Sequence, residues 1–214
     1  MVIKNSMLLS GNEAVALAAL DSGVRLGAGY PGTPSTEILE EFAELGGQAQ
    51  WSSNEKVALE TAIGVSWGGG RALVTMKHVG LNVAADPLFT VAYTGVAAGL
   101  VLVSADDPGM ASSQNEQDNR RYAQAAGVPM LEPSDSQESY DFARAAFTLS
   151  EEFAVPVLLR ITTRICHSKT VVRRAPAAAV PSARSYERDI PGRVMIPAYA
   201  RPALRRLGEK LRRS

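Results

Sequence analysis

An apolar run at residues 99–104, GLVLVS, restricts the possible folds of this chain more than any other segment. It has no polar residue from Leu100 to Val103, so it lacks the alternation expected of a strand with one face in water. Strands of this kind are buried on both faces, and they occur in parallel sheets that helices cover on both sides. The run therefore predicts an α/β domain.

The rest of the chain repeats one order, a short apolar strand followed by an amphipathic helix. Strands and helices that alternate at this spacing predict a three-layer α/β/α fold with a mainly parallel sheet of about six strands. The predicted strands are residues 7–10, 24–30, 49–53, 71–77, 99–104, 128–131 and 155–162, and the predicted helices are residues 13–22, 37–45, 55–67, 116–126, 134–152 and 203–213. Residues 78–82 are predicted to form a loop before a helix that ends at Tyr93.

The repeating pattern stops near Lys169. Residues 171–202 are rich in proline, alanine and arginine and have no sustained period, which is typical of a linker or of an arm that wraps around a partner. We therefore expect a domain over residues 1–170. Over residues 171–214 we expect a linker or arm with a basic C-terminal helical segment that leads to further domains.

Composition excludes several classes of function. The chain has 22 basic and 22 acidic residues, and this balance argues against a general nucleic-acid or membrane-surface role. The single cysteine, Cys166, excludes an internal disulfide and any iron–sulfur or zinc site built from several thiolates of this chain. Neither a membrane span nor a signal peptide is indicated, which favours the cytoplasm. The glycine-rich dinucleotide motif, the P-loop and the GxSxG elbow are also missing from the sequence.

Four loops that follow predicted strands carry unusual polar content. Ligands of open parallel sheets bind beyond the carboxyl ends of the strands, so these loops should share one edge. They are Tyr30 to Thr36, Asn54 with Glu55, Lys77 to Asn82, and Asp106 to Asn115. Together they predict a binding site at that edge.

Each of these side chains also has an ordinary structural explanation. A glutamate at a helix start, such as Glu55, is usually a favourable partner of the helix dipole. His78 near a strand end is more often a hydrogen-bonded loop residue than a base, and Thr33 between prolines is most often part of a turn. Asp106 and Asp107 before Pro-Gly also suggest a turn. No single residue decides between the two interpretations.

Five motifs, taken in order, resemble a known enzyme family. They are LSGNE at 9–13, GYPGTPSTE at 29–37, NEKVALE at 54–60, MKHVGLNV at 76–83, and DDPG at 106–109 with SSQNEQDNR at 112–120. The chain resembles the thiamine-diphosphate-dependent 2-oxoacid:ferredoxin oxidoreductases over residues 7–170. Within that family it is most similar to the N-terminal, pyrimidine-binding part of the indolepyruvate-type alpha subunits.

The resemblance implies roles for particular residues. Glu55 matches the family glutamate that hydrogen-bonds N1′ of the cofactor's aminopyrimidine and promotes its imino tautomer. Thr33 matches a threonine near the substrate carboxylate. By the same resemblance, the remaining candidates lie in the loop over the cofactor. Lys77 is expected to bind the substrate, and His78 to handle a proton or bind a carboxylate. Gly80 and Asn82 are expected to contact the cofactor. Behind Glu55, small residues repeat the family's spacing at Ala58, Ala62 and Gly64.

The activity implied is oxidative decarboxylation of a 2-oxoacid to an acyl-coenzyme A, with electrons passed to ferredoxin. Ala105-Asp106-Asp107 stands where pyruvate-using relatives are expected to have an arginine, which favours an arylpyruvate such as indolepyruvate. The diphosphate-binding GDG motif and the relay cysteines are not in this sequence. Magnesium, iron–sulfur clusters, a diphosphate-binding domain and a beta subunit are therefore expected in further domains or partners, and the chain alone should be inactive. Two alternatives stay open: a non-catalytic α/β module that binds a partner, and another 2-oxoacid:ferredoxin oxidoreductase.

Overall fold

The computed structural model describes residues 6–177 and 186–213, which form two sheets. The strands in these ranges are β1 (Ser6–Ser10), β2 (Leu26–Gly29), β3 (Ala49–Trp51), β4 (Ala72–Lys77), β5 (Leu100–Asp106), β6 (Met130–Leu131), β7 (Val157–Thr162) and β8 (Lys169–Arg173). Six of them form a parallel sheet in the order β3-β2-β4-β5-β7-β6. The predicted parallel sheet of about six strands is confirmed.

Helices cover both faces of this sheet. The helices in the described ranges are α1 (Gly11–Asp21), α2 (Thr36–Glu44), α3 (Glu55–Trp67), α4 (His78–Val83), α5 (Ala85–Thr94), α6 (Arg120–Ala126), α7 (Ser136–Phe153), α8 (Thr163–His167), α9 (Ile190–Arg193) and α10 (Pro197–Leu211). One core cluster joins α1, α2 and α7 to the sheet, and a second joins the opposite face to α3, α4, α5, α6 and α10. The predicted three layers are therefore present.

The central strands show why their sequences are apolar throughout. All seven residues of β5 are buried. Neighbouring side chains of a strand point to opposite faces, so Val101 lies in the first core cluster and Leu102 in the second. Leu73 and Val74 of β4 divide in the same way. A strand with helices on both sides buries the side chains of both faces, so its sequence is apolar over most of its length.

The first strand lies outside the main sheet, although the sequence pattern placed it at the start of the strand–helix series. β1 pairs antiparallel with β8, and Leu9 opposes Thr170 in that register. Leu9 and Val172 are buried, whereas Leu8 and Val171 are exposed. The short KTVVR segment was not predicted as a strand, because only its pairing with a segment about 160 residues earlier stabilises it.

Two further boundaries differ from the predictions. Residues 78–83 form helix α4 instead of a loop, because burial of Leu81 outweighs the poor helix propensity of Val79 and Gly80. Helix α6 begins at Arg120, whereas the prediction began at residue 116. The Glu116 carboxylate accepts a hydrogen bond from Gly109 N at 2.8 Å, so residue 116 belongs to the preceding loop.

The C-terminal segment has more regular structure than its composition indicated. Helix α10 begins at Pro197, which suits the first position of a helix because proline has no N–H to leave unpaired. Its Ala203 and Leu207 are buried, and Leu207 joins the second core cluster. Residues 178–185 of the predicted linker lie outside the described residues, and the domain boundary near residue 170 stays a prediction. None of the described helices is long and apolar enough to cross a bilayer.

Candidate active site

The candidate site lies where the chain changes direction within the sheet. From β2 the chain first moves outward to β3, and β4 then pairs with the other side of β2. Such a reversal separates the loops at the carboxyl ends of two neighbouring strands and leaves a crevice between them. The loop after β2 carries Thr33, and β4 ends at Lys77 and leads directly into His78. Thr33, Lys77 and His78 therefore lie at the ligand-binding edge of this fold class.

Glu55 is the first residue of α3. The side chain of Asn54 caps this helix by accepting a hydrogen bond from Val57 N at 3.0 Å. Glu55 is partly buried, and its side chain lies against α4. A Cβ atom added at Gly80 would lie 2.6 Å from both Cγ and Oε1 of Glu55, so a side chain at residue 80 would displace the carboxylate from this position. No residue within 6–177 or 186–213 gives this carboxylate a hydrogen bond or an ion pair.

The small residues of α3 do not all serve the same purpose. Ala58 and Ala62 are fully buried in the second core cluster, which agrees with a helix face packed closely on its neighbours. Gly64 is exposed, and a Cβ added there would meet no atom within 4 Å. Gly64 therefore takes no part in close packing, whereas Ala58 and Ala62 fix the helix that carries Glu55.

Two hydrogen bonds fix the backbone of the loop that carries Thr33. Asn12 Nδ2 donates to Pro34 O at 2.8 Å, and Gly32 N donates to Thr36 Oγ1 at 2.9 Å. The Thr33–Pro34 peptide bond is cis, and Thr33 itself is exposed. A Cβ added at Gly32 would lie 3.5 Å from Lys77 Cβ, so this loop is a direct neighbour of the end of β4.

Lys77 and His78 are both bound by the loop that joins β5 to α6. Lys77 Nζ donates to Ser112 O at 2.7 Å. His78 is fully buried, and its Nε2 lies 2.9 Å from Asn115 O. A carbonyl oxygen can only accept, so Nε2 carries the hydrogen in this contact. His78 Nδ1 is buried and has no partner among the described residues.

Asn82 lies apart from the other predicted residues. It is exposed on α4, and its Oδ1 accepts a hydrogen bond from Tyr122 OH at 2.7 Å. Residues two apart on a helix point to nearly opposite sides, so Asn82 faces away from the Gly80 surface that contacts Glu55. The structure thus brings Glu55 against Gly80, and Lys77 and the Thr33 loop close to one another. Asn82 lies on the α6 side.

A buried ion pair beneath the site was not predicted. Arg160 Nε donates to Asp106 Oδ2 at 2.7 Å, and both side chains are almost fully buried. Arg160 also binds Glu132. Asp106 and Asp107 before Pro-Gly suggest a turn, and the structure shows in addition that their side chains bind residues at both ends of the β5–α6 loop. A charged residue inside the apolar strand at 155–162 was the available signal, since an arginine there needs a buried partner.

Asp107 folds the loop onto the end of β7. It accepts hydrogen bonds from Ser112 N, Ser113 Oγ and Thr163 Oγ1. Burial opposes ionisation of this carboxyl, but these bonds outweigh burial and hold the pKa of Asp107 well below its usual range. The loop that binds Lys77 and His78 is therefore tied down by an ionised aspartate.

Large apolar side chains are exposed on the elements around this edge. They lie at the ends of β2 and β3, on α3 and α4, and on the β5–α6 loop, and each is between 38% and 50% exposed: Tyr30, Trp51, Val57, Val83 and Met110. We call these five residues the apolar rim. Apolar side chains grouped around a cleft are typical of a surface that another domain or chain covers.

The family model described as pyruvate flavodoxin/ferredoxin oxidoreductase, thiamine diP-bdg, matches residues 17–200. The chain belongs to this family. The resemblance drawn from the five motifs is thereby confirmed. This family is described as thiamine-diphosphate-binding, which agrees with a ligand site at the carboxyl edge of the sheet.

Relatives in this family carry related names. The indolepyruvate oxidoreductase subunit IorA of Methanothermobacter marburgensis is 49% identical over 211 residues, and that of Archaeoglobus fulgidus is 48% identical over 214 residues. These alignments cover 97% and 96% of this chain but 34% of each relative. The 2-oxoglutarate synthase subunit KorA of M. marburgensis is 34% identical over 161 residues, which is 71% of this chain and 43% of that relative. The chain thus spans about a third of the length of the IorA relatives.

A solved structure has the same fold. It is the 2-oxoglutarate:ferredoxin oxidoreductase from Magnetococcus marinus with 2-oxoglutarate, coenzyme A and succinyl-CoA bound. The match has a TM-score of 0.81 and covers 98% of this chain and 45% of the other. At 17% sequence identity this likeness concerns the fold.

Proposed function

We propose that this chain supplies the pyrimidine-binding part of an indolepyruvate (arylpyruvate):ferredoxin oxidoreductase, in which Glu55 binds the aminopyrimidine of thiamine diphosphate. The observation that carries the proposal is the position of the Glu55 carboxylate. It is partly buried at the start of α3, lies against Gly80, and has no hydrogen-bond partner among the described residues. A carboxylate placed in this way is available to a ring nitrogen from outside the chain.

The residues present fit an aminopyrimidine. Glu55 would hold a proton shared between its carboxyl group and the ring nitrogen, and the helix start behind it keeps the carboxylate in place. Gly80 leaves the backbone of α4 close to the same position, where a side chain would fill the space. Thiamine diphosphate, when bound, supplies the nucleophilic carbon and the electron sink for decarboxylation.

The neighbouring loops suit a 2-oxoacid. The Lys77 ammonium lies beside the Thr33 loop, and a cation and a hydroxyl are suitable partners for a substrate carboxylate. Lys77 would exchange its contact with Ser112 O for the carboxylate. The high identity to the IorA subunits favours an arylpyruvate over 2-oxoglutarate, because the KorA relative is 34% identical whereas IorA relatives reach 49%.

The apolar rim supports assembly with a second domain or chain. We infer that this partner holds the diphosphate and magnesium, and that a beta subunit carries electrons through iron–sulfur clusters to ferredoxin while coenzyme A accepts the acyl group. Nothing in the described residues replaces these parts, so the chain is proposed to act within the complex.

Replacing Glu55 tests the proposal. In the assembled complex, Glu55→Gln keeps the size of the side chain but removes its ability to take up the shared proton. We expect 2-oxoacid decarboxylation to fall by about 10²- to 10⁴-fold, the range typical for loss of a positioned acid–base group. The matched control is Glu60→Gln on the same helix, where Glu60 is exposed and lies 3.9 Å from Lys56.

Two results would contradict this function. Near-normal decarboxylation by the Glu55→Gln complex would show that no proton relay depends on this residue. Assembly with partner subunits in the absence of bound thiamine diphosphate would instead favour a non-catalytic partner-binding module. Comparing turnover of indolepyruvate, pyruvate and 2-oxoglutarate by the same complex would decide the substrate.

A further inference from the structure

Asn119 lies at the centre of a buried hydrogen-bond network directly beneath the candidate site. It is fully buried at the start of α6. Its side-chain Nδ2 donates to His78 O at 3.1 Å and to Ser104 Oγ at 2.7 Å. Its backbone N donates to Asp106 Oδ2 at 3.1 Å. One side chain thus joins the start of α4, the end of β5 and the β5–α6 loop.

Asp106 and Arg160 fix the end of this network that lies away from His78. Ser104 Oγ donates to Asp106 Oδ1 at 2.9 Å, so the hydroxyl that accepts from Asn119 is itself oriented. Asp106 is in turn held by Arg160 through the buried ion pair. Asn119 Oδ1 is buried without a partner among the described residues, so satisfaction of every polar atom does not fix the amide. Its direction is fixed because a flipped amide would place Oδ1 against the His78 carbonyl, and two acceptors cannot form a hydrogen bond.

Two hydrogen bonds connect His78 to this part of the structure. Asn119 binds its main-chain carbonyl, and Asn115 O accepts from its imidazole. His78 is the first residue of α4, whose N-cap residue Lys77 makes no side-chain capping bond. A helix start leaves its first N–H groups without intrahelical partners, and Asn119 binds a carbonyl, so this contact does not replace the cap. It instead ties the first residue of α4 to the start of α6.

We propose that Asn119 is a positioning residue for the candidate site. Through His78 O it fixes the beginning of α4, and α4 places Gly80 against the Glu55 carboxylate. The proposal rests on the proposed function, because it assigns Asn119 to the site that Glu55 serves. Asn119 acts through His78 and Gly80 and has no contact with the reacting groups.

The role predicts a local change when Asn119 is replaced. In the full chain carrying Asn119→Ala, hydrogen exchange of the α4 amides should be faster by about tenfold relative to the amides of β2, the factor expected for one lost buried hydrogen bond. The chain has two histidines, so imidazole NMR separates His78 from His167. The His78 signal should shift or broaden while that of His167 stays unchanged.

A milder variant and a matched control separate positioning from general loss of stability. Ser104→Ala removes the hydroxyl that orients the Asn119 amide, and it should accelerate exchange in α4 by about two- to fivefold. Ser150→Ala is the control, because Ser150 is equally buried and makes two hydrogen bonds, with Leu100 N and Val155 O, at the amino edge of the sheet. It should leave the ratio of α4 to β2 exchange within twofold of the unsubstituted chain.

In the assembled complex, Asn119→Ala should weaken apparent thiamine diphosphate affinity and lower kcat by about tenfold each, with less than a threefold change in KM for the 2-oxoacid. Unchanged α4 exchange and an unchanged His78 signal in both Asn119→Ala and Ser104→Ala would overturn the positioning role and leave the Glu55 result untouched. Full activity of Glu55→Gln would instead refute the proposed function, and the positioning role with it.

Discussion

Replacing Gly80 by alanine should separate the site from the stability of the fold. An alanine Cβ at this position would lie 2.6 Å from Cγ and Oε1 of Glu55. Ordinary van der Waals contact begins at 3.4 Å, so the carboxylate has to move by about 0.8 Å or change rotamer. The atoms in conflict belong to a partly buried side chain whose outer end is free to turn, so the backbone has no need to shift.

The two effects on stability nearly cancel. Alanine favours a helix over glycine by about 1 kcal/mol, and Gly80 lies within α4. An off-rotamer glutamate costs about 0.5–1.5 kcal/mol. The free energy of unfolding should therefore change by less than about 1 kcal/mol. The effect on catalysis is not balanced in this way, because a displacement of about 1 Å at a reacting group costs on the order of 10²-fold in rate.

The assay is 2-oxoacid decarboxylation by the assembled complex, measured beside urea unfolding of the chain. Gly64→Ala is the matched control, since it makes the same change within a helix where the new Cβ meets nothing within 4 Å. We expect normal activity from Gly64→Ala and about 10²-fold lower activity from Gly80→Ala. Equal activity of the two variants would refute the argument that Gly80 sets the position of Glu55.

Three further changes test the surrounding structure. Arg160→Met leaves the buried Asp106 carboxylate without its cation and should lower the free energy of unfolding by about 3–5 kcal/mol in urea, whereas a loss below 1 kcal/mol would contradict the buried pair. Because the pKa of Asp107 is depressed in the folded chain, its ionised carboxylate stabilises the fold at pH values above the usual aspartate pKa, and this stabilisation is lost as the pH falls toward the folded-state value. Asp107→Asn should therefore lower the free energy of unfolding at pH 7. In acid unfolding, the difference between this variant and the unsubstituted chain should shrink below about pH 4. Leu207 is 4% exposed, so Leu207→Ala should lower the free energy of unfolding by about 2–5 kcal/mol in thermal or urea unfolding. Leu204 is 52% exposed, so Leu204→Ala should lower it by less than about 0.5 kcal/mol. Equal effects of the two variants would place α10 outside the core.

The parts of the fold that were predictable are those that local pattern determines. The apolar run at 99–104 could only be a strand covered on both faces, and Asn54 before Glu55 marked the start of α3. The position of Glu55 at the binding edge followed from these two facts. Predictions of this kind succeed because a few neighbouring residues carry the whole signal.

The parts that were missed depend on residues far apart in sequence. Helix α4 contains Gly80 and two β-branched residues, and only the burial of Leu81 makes it helical. The pairing of β1 with β8 joins residues 6–10 to 169–173. Likewise, the position of Arg160 in an apolar strand indicates a buried partner, but no nearby residue identifies Asp106 as that partner.

The position of the site agrees with the proposed completion by a partner. Its carboxylate lies at a sheet reversal, where the loops after β2 and β4 separate. Lys77, His78 and Asn119 are all bound by other groups of the chain, whereas the described residues leave Glu55 unpaired. A domain that covered the apolar rim would remove water from the Glu55 carboxylate, and a carboxylate without water is stabilised only when a hydrogen-bond donor reaches it. Because the described residues supply no such donor, the donor would have to lie on the covering side.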